Sequence, residues 1–482
     1  MGQEKILLEH TPAARKVLAA YLAVSGTVLL LMMTLGLLMR LAQGSLVSLP
    51  ADRFYESLTV HGTGMVGVAG MGGAAILWYF LGRHVRLNVP VLAINLVAFI
   101  VGAALILGAA FIGGFAAGWT FLFPLPANSL GQWSEHAAAM HLSGLLLIGT
   151  GFLLFHLDTG RAILSKYGSL ARALGWPYLF GRSDETPPAV IVASTMVLIV
   201  NTLGLVSGAT VLAISLVNLY LPGFAIDPLL AKNLIYFFGH VFINITIYMA
   251  IIAAYELLPL YTNRPWKVNR PFLVAWTAAT VLVLVAYPHH LLMDFNMPRW
   301  LLLVGQISSY ISGLPILVVT GYGALMIVFR SGMRWTTTTA LIMVGVFGWS
   351  SGVIPAIIDA TIMVNTVMHN TLWVPGHFHT YLLLGQIALV LAFMAHFSQG
   401  ADWSKVRLNA WGFWLFLIGG LALTQSFLYS GKQGVPRRFA EYLPDWVGGA
   451  QVGALAALMV VTGTGVLFAA YLLKLPRVMR AS

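Results

Sequence analysis

Two histidines, His377 and His379, stand two residues apart in Val374-Pro375-Gly376-His377-Phe378-His379. They lie inside an apolar run from about Asn370 to Phe397, long enough to cross a bilayer as a helix. Positions i and i+2 of a helix differ by about 200°. The pair therefore points to nearly opposite faces at almost one depth. An imidazole held in hydrocarbon needs a partner. Two on opposite faces need two, and a metal ion or a heme iron suits each. Hydrogen-bonded core histidines would explain this motif if it stood alone. It is accompanied by His61, by His240 and by the adjacent pair His289-His290. Three neutral imidazoles with an open position, as His240, His289 and His290 offer, suit copper, iron or zinc. His61 and His379 can ligate one heme from two helices, as an electron-transfer centre. His377, on the other face of its helix, can then hold a second heme whose open side faces the three-histidine metal.

The elements that must position these side chains are membrane helices. The chain has 482 residues, 59% hydrophobic and 9% charged, with a mean hydropathy of +0.86. That balance belongs to a polytopic membrane protein. There is no cysteine, so disulfides, thiolate metal sites and cysteine-attached heme are excluded. The net charge of +11 reflects loop orientation in such a chain, not nucleic-acid binding. The charged segment Gly2–Lys16 leads straight into a full-length span, with no pattern of a cleavable signal.

Hydropathy predicts about twelve spans, at roughly 16–41, 54–82, 89–117, 135–159, 188–221, 230–261, 270–292, 300–329, 336–362, 370–397, 407–429 and 448–474. Lysines and arginines gather on alternate loops: Arg15, Lys16, Arg83, Arg86, Arg161, Lys166, Arg172, Arg182, Arg264, Lys267, Arg270, Arg330, Arg334, Lys405, Arg407, Lys474, Arg477 and Arg480. The opposite loops are poor in positive charge apart from Lys432, Arg437 and Arg438. The positive-inside rule then places both termini in the cytoplasm. No repeat or soluble appendage is visible. The expected unit is a single all-α membrane domain over residues 1–482, with its one sizeable cytoplasmic segment at about 160–187. With this topology all six histidines fall in the outer half of the membrane at similar depth, which chance placement does not produce.

Arg437-Arg438 sits in an outer loop, against the charge bias. Paired guanidiniums can clamp heme propionates. His369 and Asn370, at the outer mouth of span ten, can hydrogen-bond the same groups or simply cap the helix.

Leu58-Thr59-Val60-His61-Gly62, Gly239-His240, His289-His290, His369-Asn370-Thr371, Trp373 through His379 and Val435-Pro436-Arg437-Arg438 together resemble subunit I of the heme-copper oxidase superfamily. The stretch around His377 looks most like the B-type branch. The resemblance covers nearly all spans in order. It implies that His61 and His379 ligate a low-spin heme, that His377 ligates a high-spin heme, and that His240, His289 and His290 hold the active-site metal. The implied cofactors are two hemes and one copper, with non-heme iron as the alternative metal. The implied setting is a prokaryotic cytoplasmic membrane, with lipid around the chain. The implied partners are a subunit II with a cupredoxin, dinuclear copper or cytochrome domain, and a soluble outer donor such as cytochrome c or a cupredoxin. A cysteine-free chain is not expected to hold a dinuclear copper centre itself.

The departures from the family pattern bear on the substrate. Oxygen reductases of the A and B branches carry a tyrosine four residues after the helix-six histidine; here that residue is Asn244. The C branch supplies it from helix seven, where this chain has Val283. Tyr287 stands two residues before the histidine pair, at another helical angle. One-step O₂ cleavage takes four electrons, and the tyrosine normally supplies one with a proton. Reducing two NO molecules takes two. Asn244 cannot be oxidised, and it is not the glutamate of the better-known nitric oxide reductases. The chain therefore resembles the divergent oxidase-derived nitric oxide reductases, with terminal cytochrome c oxidase as the alternative activity. A non-catalytic heme transporter or assembly protein is a third reading, which His289-His290 argues against. For protons, Tyr255, Glu256, Ser309, Ser312 and Thr320 offer a polar route along spans six and eight, or are ordinary packing hydroxyls. Asn365 stands where the B-type pattern has an aspartate near a propionate, which speaks against pumping.

Overall fold

A computed structural model describes residues 8–399 and 407–480. Lys405 and the start of the charged N-terminal segment lie outside the described residues. Among the described residues, twelve helices are long and apolar enough to cross a membrane. The chain begins with α1 (Pro12–Gln43), α2 (Ala51–Leu81), α3 (Val89–Phe111) and α4 (Glu135–Tyr167). Two one-turn helices follow, α5 (Leu170–Ala173) and α6 (Trp176–Leu179), and then α7 (Ala189–Tyr220), α8 (Pro228–Thr262) and α9 (Arg270–Val285). The second half comprises α10 (Arg299–Ser312), α11 (Leu314–Val328), α12 (Thr337–Asp359), α13 (Ile362–Met368), α14 (Trp373–His379), α15 (Ala388–Phe397), α16 (Ala410–Lys432), α17 (Pro444–Leu472) and α18 (Leu475–Arg480). Among the described residues the only β-type pairing is an isolated bridge between Thr371 and Pro436.

The helix starts follow local chemistry. Thr11, Ser134 and Asp227 accept from free backbone N–H groups of α1, α4 and α8, and prolines at the first turns of α1 and α8 each remove one donor that would have no helical partner. Three expected spans are not uniform helices. Span seven stops being α-helical at Val285 and continues as a 3₁₀ turn, Tyr287–Leu291, because Pro288 has no N–H to give. Span eight is split at Gly313, two residues before Pro315, which has no N–H to continue the helix. Span ten opens into a π-helical segment, Thr380–Ile387, between α14 and α15. Helices α2, α7, α8 and α15 are the most enclosed, and α10–α11 is the most exposed to its surroundings. Two boundaries differ from expectation. Span three ends at Phe111, not near 117, and α4 runs on to Tyr167, which shortens the expected 160–187 segment.

Candidate heme and metal centre

His61 on α2 and His379 at the end of α14 face one another. Their ring centroids are 6.3 Å apart and their planes differ by 15°. Each Nδ1 is tied to a backbone carbonyl, His61 to Met32 O at 2.7 Å and His379 to Pro375 O at 2.7 Å. A neutral imidazole that donates through Nδ1 keeps its Nε2 lone pair free. With a metal–nitrogen distance of about 2.0 Å and about 1.1 Å from nitrogen to ring centre, two imidazoles on opposite sides of one iron have centroids about 6.2 Å apart. The observed spacing fits a shared axial iron. Gly36 on α1 makes it possible: a Cβ there would lie 2.7 Å from His61 Cε1.

His240 on α8 and His289 and His290 on the 3₁₀ turn each offer one nitrogen, and these atoms lie within 4.8 Å of one another. His240 Nδ1 is 3.3 Å from His290 Nε2. Without an ion that contact is an imidazole–imidazole hydrogen bond. It is also the edge of a tetrahedron around a metal held at about 2.0 Å. The 3₁₀ turn brings the rings of His289 and His290 within 4.1 Å of each other. Ser309 Oγ lies 2.6 Å from His289 Nδ1 and donates to Gly305 O. It thus accepts from Nδ1 and leaves His289 Nε2 for a ligand. His377, two residues before His379, turns away from His61. Its ring stands edge-on to Tyr381 at 5.3 Å, within electrostatic reach of His289. The opposite-face reading of the pair therefore describes the structure.

Asn244 is at this site, but its amide is already engaged. Its Nδ2 donates to His240 O at 2.7 Å and lies 3.5 Å from His240 Nδ1. Tyr287 is not: its hydroxyl donates to Asn233 Oδ1 at 2.9 Å, toward the start of α8, and its ring packs edge-on to Phe237. Another tyrosine packs directly on the cluster. The Tyr236 ring lies parallel to His290, 15° off at 5.8 Å. Sequence reasoning missed it, although its place four residues before His240, one turn along the same face, is a usable signal.

The Thr371–Pro436 bridge carries Arg437 and Arg438 to the mouth of span ten. Leu372 N donates to Val435 O at 2.8 Å, and Arg437 N donates to Asn370 O at 2.9 Å. Arg438, with φ 67°, turns its guanidinium back to Thr120 Oγ1 at 3.3 Å. Partial burial and then the neighbouring Arg438 push Arg437 down to about 10, and Arg437 Nε has no partner. Burial, then Arg437 and Arg438, push His369 down to about 4. Two crowded guanidiniums beside a neutral histidine form a cradle for an anion, which fits a heme propionate. Asn365 is buried and donates through Nδ2 to Asp359 O at 2.7 Å and Asp359 Oδ1 at 3.3 Å. The carboxylate missing at position 365 is therefore supplied next door.

The expected proton route does not run continuously. Tyr255 Oη and Thr320 Oγ1 are 2.6 Å apart at the far end of α8. Glu256 shares with Tyr255 a cavity of about 290 Å³ that Trp266 also lines. Ser309 belongs to the histidine cluster, and Ser312 hydrogen-bonds only the Ser309 carbonyl, at 3.3 Å. Fifteen residues of helix, about 22 Å, separate Tyr255 from His240. The five expected path residues thus form two separate groups, Ser309 and Ser312 by the histidine cluster and Tyr255, Glu256 and Thr320 at the far end of α8.

A family model described as cytochrome C and quinol oxidase polypeptide I matches residues 16–467. Cytochrome c oxidase polypeptide 1 of Halobacterium salinarum is 25% identical over 386 residues, covering 77% of this chain and 62% of that protein. Quinol oxidase subunit 1 of Bacillus subtilis is 24% identical over 455 residues, covering 90% of this chain and 67% of that protein. A cryo-EM structure of a heme-copper terminal oxidase dimer superposes with a TM-score of 0.79 over 97% of this chain and 84% of that one, at 21% identity, and so supports the fold. The chain spans only 62% and 60% of the first two curated relatives it matches.

Proposed function

The chain belongs to the cytochrome c and quinol oxidase polypeptide I family, and from that premise we propose that it is the catalytic subunit of a membrane respiratory reductase that converts nitric oxide to nitrous oxide. One observation carries the choice of substrate. Asn244, four residues after His240, occupies the place from which a tyrosine would deliver an electron and a proton, and its amide can do neither. Reduction of two NO molecules needs only two electrons, so a heme and a metal suffice.

In this reading His61 and His379 hold a low-spin heme, His377 holds a high-spin heme, and His240, His289 and His290 hold copper, with iron as the alternative. Bound there, these groups would supply the electrons and the open coordination positions for a diatomic substrate. The chain's own residues do the rest. The Met32 and Pro375 carbonyls fix the tautomers of His61 and His379. Ser309 fixes that of His289. Arg437 and Arg438 neutralise propionates, and the neutral His369 hydrogen-bonds them. Asn244 presents an amide dipole beside His240, where negative charge develops on the substrate. Protons enter at Glu256 and Tyr255, and cross the remaining distance by a route those residues alone do not complete. The membership in the B-type branch, the cytoplasmic termini, the prokaryotic membrane, the subunit II and the outer donor belong to the same proposal.

Oxygen reduction to water is the second reading. The relatives named above are cytochrome c and quinol oxidases, and by their names the comparisons favour this reading over nitric oxide reduction. Tyr236 against His290 would be the nearest oxidisable side chain for it. Purification with the partner subunit, followed by metal analysis and side-by-side NO and O₂ consumption, separates the two. Rapid four-electron O₂ reduction with no NO turnover would overturn the nitric oxide proposal.

A further inference from the structure

Gln386 sits in the π-helical segment of span ten and is fully buried. An amide in the apolar interior of a bundle needs partners, and this one has them on two other helices. Its Nε2 donates to Ala69 O on α2 at 2.6 Å and to Thr246 O on α8 at 3.1 Å. Its Oε1 lies 3.0 Å from Thr246 Oγ1, whose single hydrogen it shares with Ile243 O at 2.7 Å. Both N–H groups and one lone pair are used. The three helices also approach closely here. A Cβ on Gly72 would lie 2.5 Å from Val390 Cγ2, and one on Gly73 would lie 2.9 Å from Thr246 O. The glycine pair lets α2 press on α8 and α15 at once.

These are the three helices that carry His61, His240, and His377 with His379. Ala69 lies eight residues beyond His61, Thr246 six beyond His240, and Gln386 seven beyond His379. At about 1.5 Å per residue the node stands roughly 9–12 Å from the ligand layer on every one of the three helices. Apolar helices slide against one another easily in lipid, because the surrounding tails are as apolar as the contact; interhelical hydrogen bonds resist this. The π-helical segment belongs to the same arrangement: its wider turn sits between the ligand pair and α15, where such bulges commonly mark functional sites.

We propose that Gln386 is a positioning residue whose amide locks the axial register of α2, α8 and span ten, and so sets the mutual geometry of the His61–His379 pair and of His240 against the turn bearing His289 and His290. It is none of the assigned ligands, and its hydrogen-bond partners are Ala69 and Thr246. This goes beyond the choice of substrate and holds for NO or O₂ alike, but rests on the assignment of the histidines as ligands.

The test compares Gln386→Leu, Gln386→Glu and Leu389→Ala in the complex purified with its partner subunit. Leu389→Ala, one turn away and also buried, weakens packing without touching the node. Three readouts are taken: the low-spin heme EPR signal, which reports the relative orientation of the two axial imidazoles; the copper-to-heme ratio after mild chelation; and thermal stability. Gln386→Leu is expected to shift and broaden the EPR signal and to weaken metal retention by about tenfold to a hundredfold, the usual cost of losing a supporting shell. Gln386→Glu, which keeps an acceptor for Thr246 and when neutral one donor, is expected to restore part of both. Leu389→Ala should lower stability and leave the signal unchanged. A Gln386→Leu protein with wild-type EPR and metal ratio overturns the proposal, as does a Leu389→Ala protein with the same spectral shift. If Gln386→Leu does not assemble, Thr246→Val removes one of the three bonds, and an unchanged spectrum there is equally decisive. Loss of the low-spin signal in His61→Ala is the separate check on the ligand assignment.

Discussion

His61 and His379 face each other across 6.3 Å with their planes 15° from parallel, and both Nδ1 atoms are anchored to backbone carbonyls. The pairing joins α2 to α14 through two residues more than three hundred positions apart in the chain. Each ring so tied keeps its Nε2 lone pair free, and the centroid spacing is the one that iron between two imidazoles would require.

His61→Ala should therefore abolish the six-coordinate low-spin spectrum while the high-spin site persists. Optical and EPR spectra of the purified variant read this directly. An intact low-spin signal would show that His379 has a different partner.

The metal content should be two hemes and one copper per chain. Three imidazoles with no carboxylate among them favour copper over iron. Elemental analysis against heme content decides it: about one equivalent of non-heme iron, with no copper, rejects the copper assignment.

Asn244→Ala should lower NO turnover. A buried polar partner is worth about 1–3 kcal/mol, which is about tenfold to a hundredfold in rate when the interaction acts in the transition state. Asn244→Glu adds a hard oxygen ligand next to His240 and should raise the site's preference for iron. Steady-state NO and O₂ consumption by wild type and both variants gives the readout. Unchanged NO turnover in Asn244→Ala would remove Asn244 from the mechanism. Under the oxygen reading, Tyr236→Phe should cut O₂ reduction while Tyr287→Phe should not.

Lys232 at the start of α8 holds Asp294, just beyond the histidine turn, at 2.7 Å. Burial alone would raise the Asp294 carboxyl, but the Lys232 hydrogen bond, the Asn296 N–H and the Lys232 charge outweigh it and hold it below its ordinary 3.8. A carboxyl lowered in the folded state contributes stability that is complete above its unfolded value and is lost as pH falls through the folded one. The tether should thus be constant from about pH 8 to about pH 5 and fail only in stronger acid. Asp294→Asn should loosen the His289-His290 turn and lower copper retention with both hemes in place. Copper-to-heme ratios across that pH range check it; a steep wild-type loss near pH 6 would point to another group.

The twelve spans were legible because a bilayer imposes length and apolarity on each segment separately, and neither depends on what the segment touches. The same locality explains the errors. The 3₁₀ turn at Tyr287–Leu291, the break at Gly313 and the π-helical segment after His379 leave hydropathy unchanged, so a window sees three ordinary spans. The proton residues read as one route because spans six and eight both carry hydroxyls; only the structure places Ser309 on His289 and Tyr255 on Thr320, at opposite ends.

Composition, hydrophobic run length and histidine spacing by themselves determined the membrane class, the number of spans and the candidate ligand set. They also determined that His377 and His379 must part, since 200° of helix separates them whatever surrounds it. Which ring meets which was decided by the tertiary structure. The His61–His379 pairing depends on the depth of α2 against α14, on a glycine at position 36 and on a carbonyl of α1. Tyr236 on α8 lies against His290, whereas Tyr287, the first residue of the 3₁₀ turn, turns its hydroxyl to Asn233. Gln386, a lone amide in an apolar run, became intelligible only once α2 and α8 were beside it. Side-chain chemistry is written along the chain, whereas register between helices is a sum of contacts among residues far apart in it.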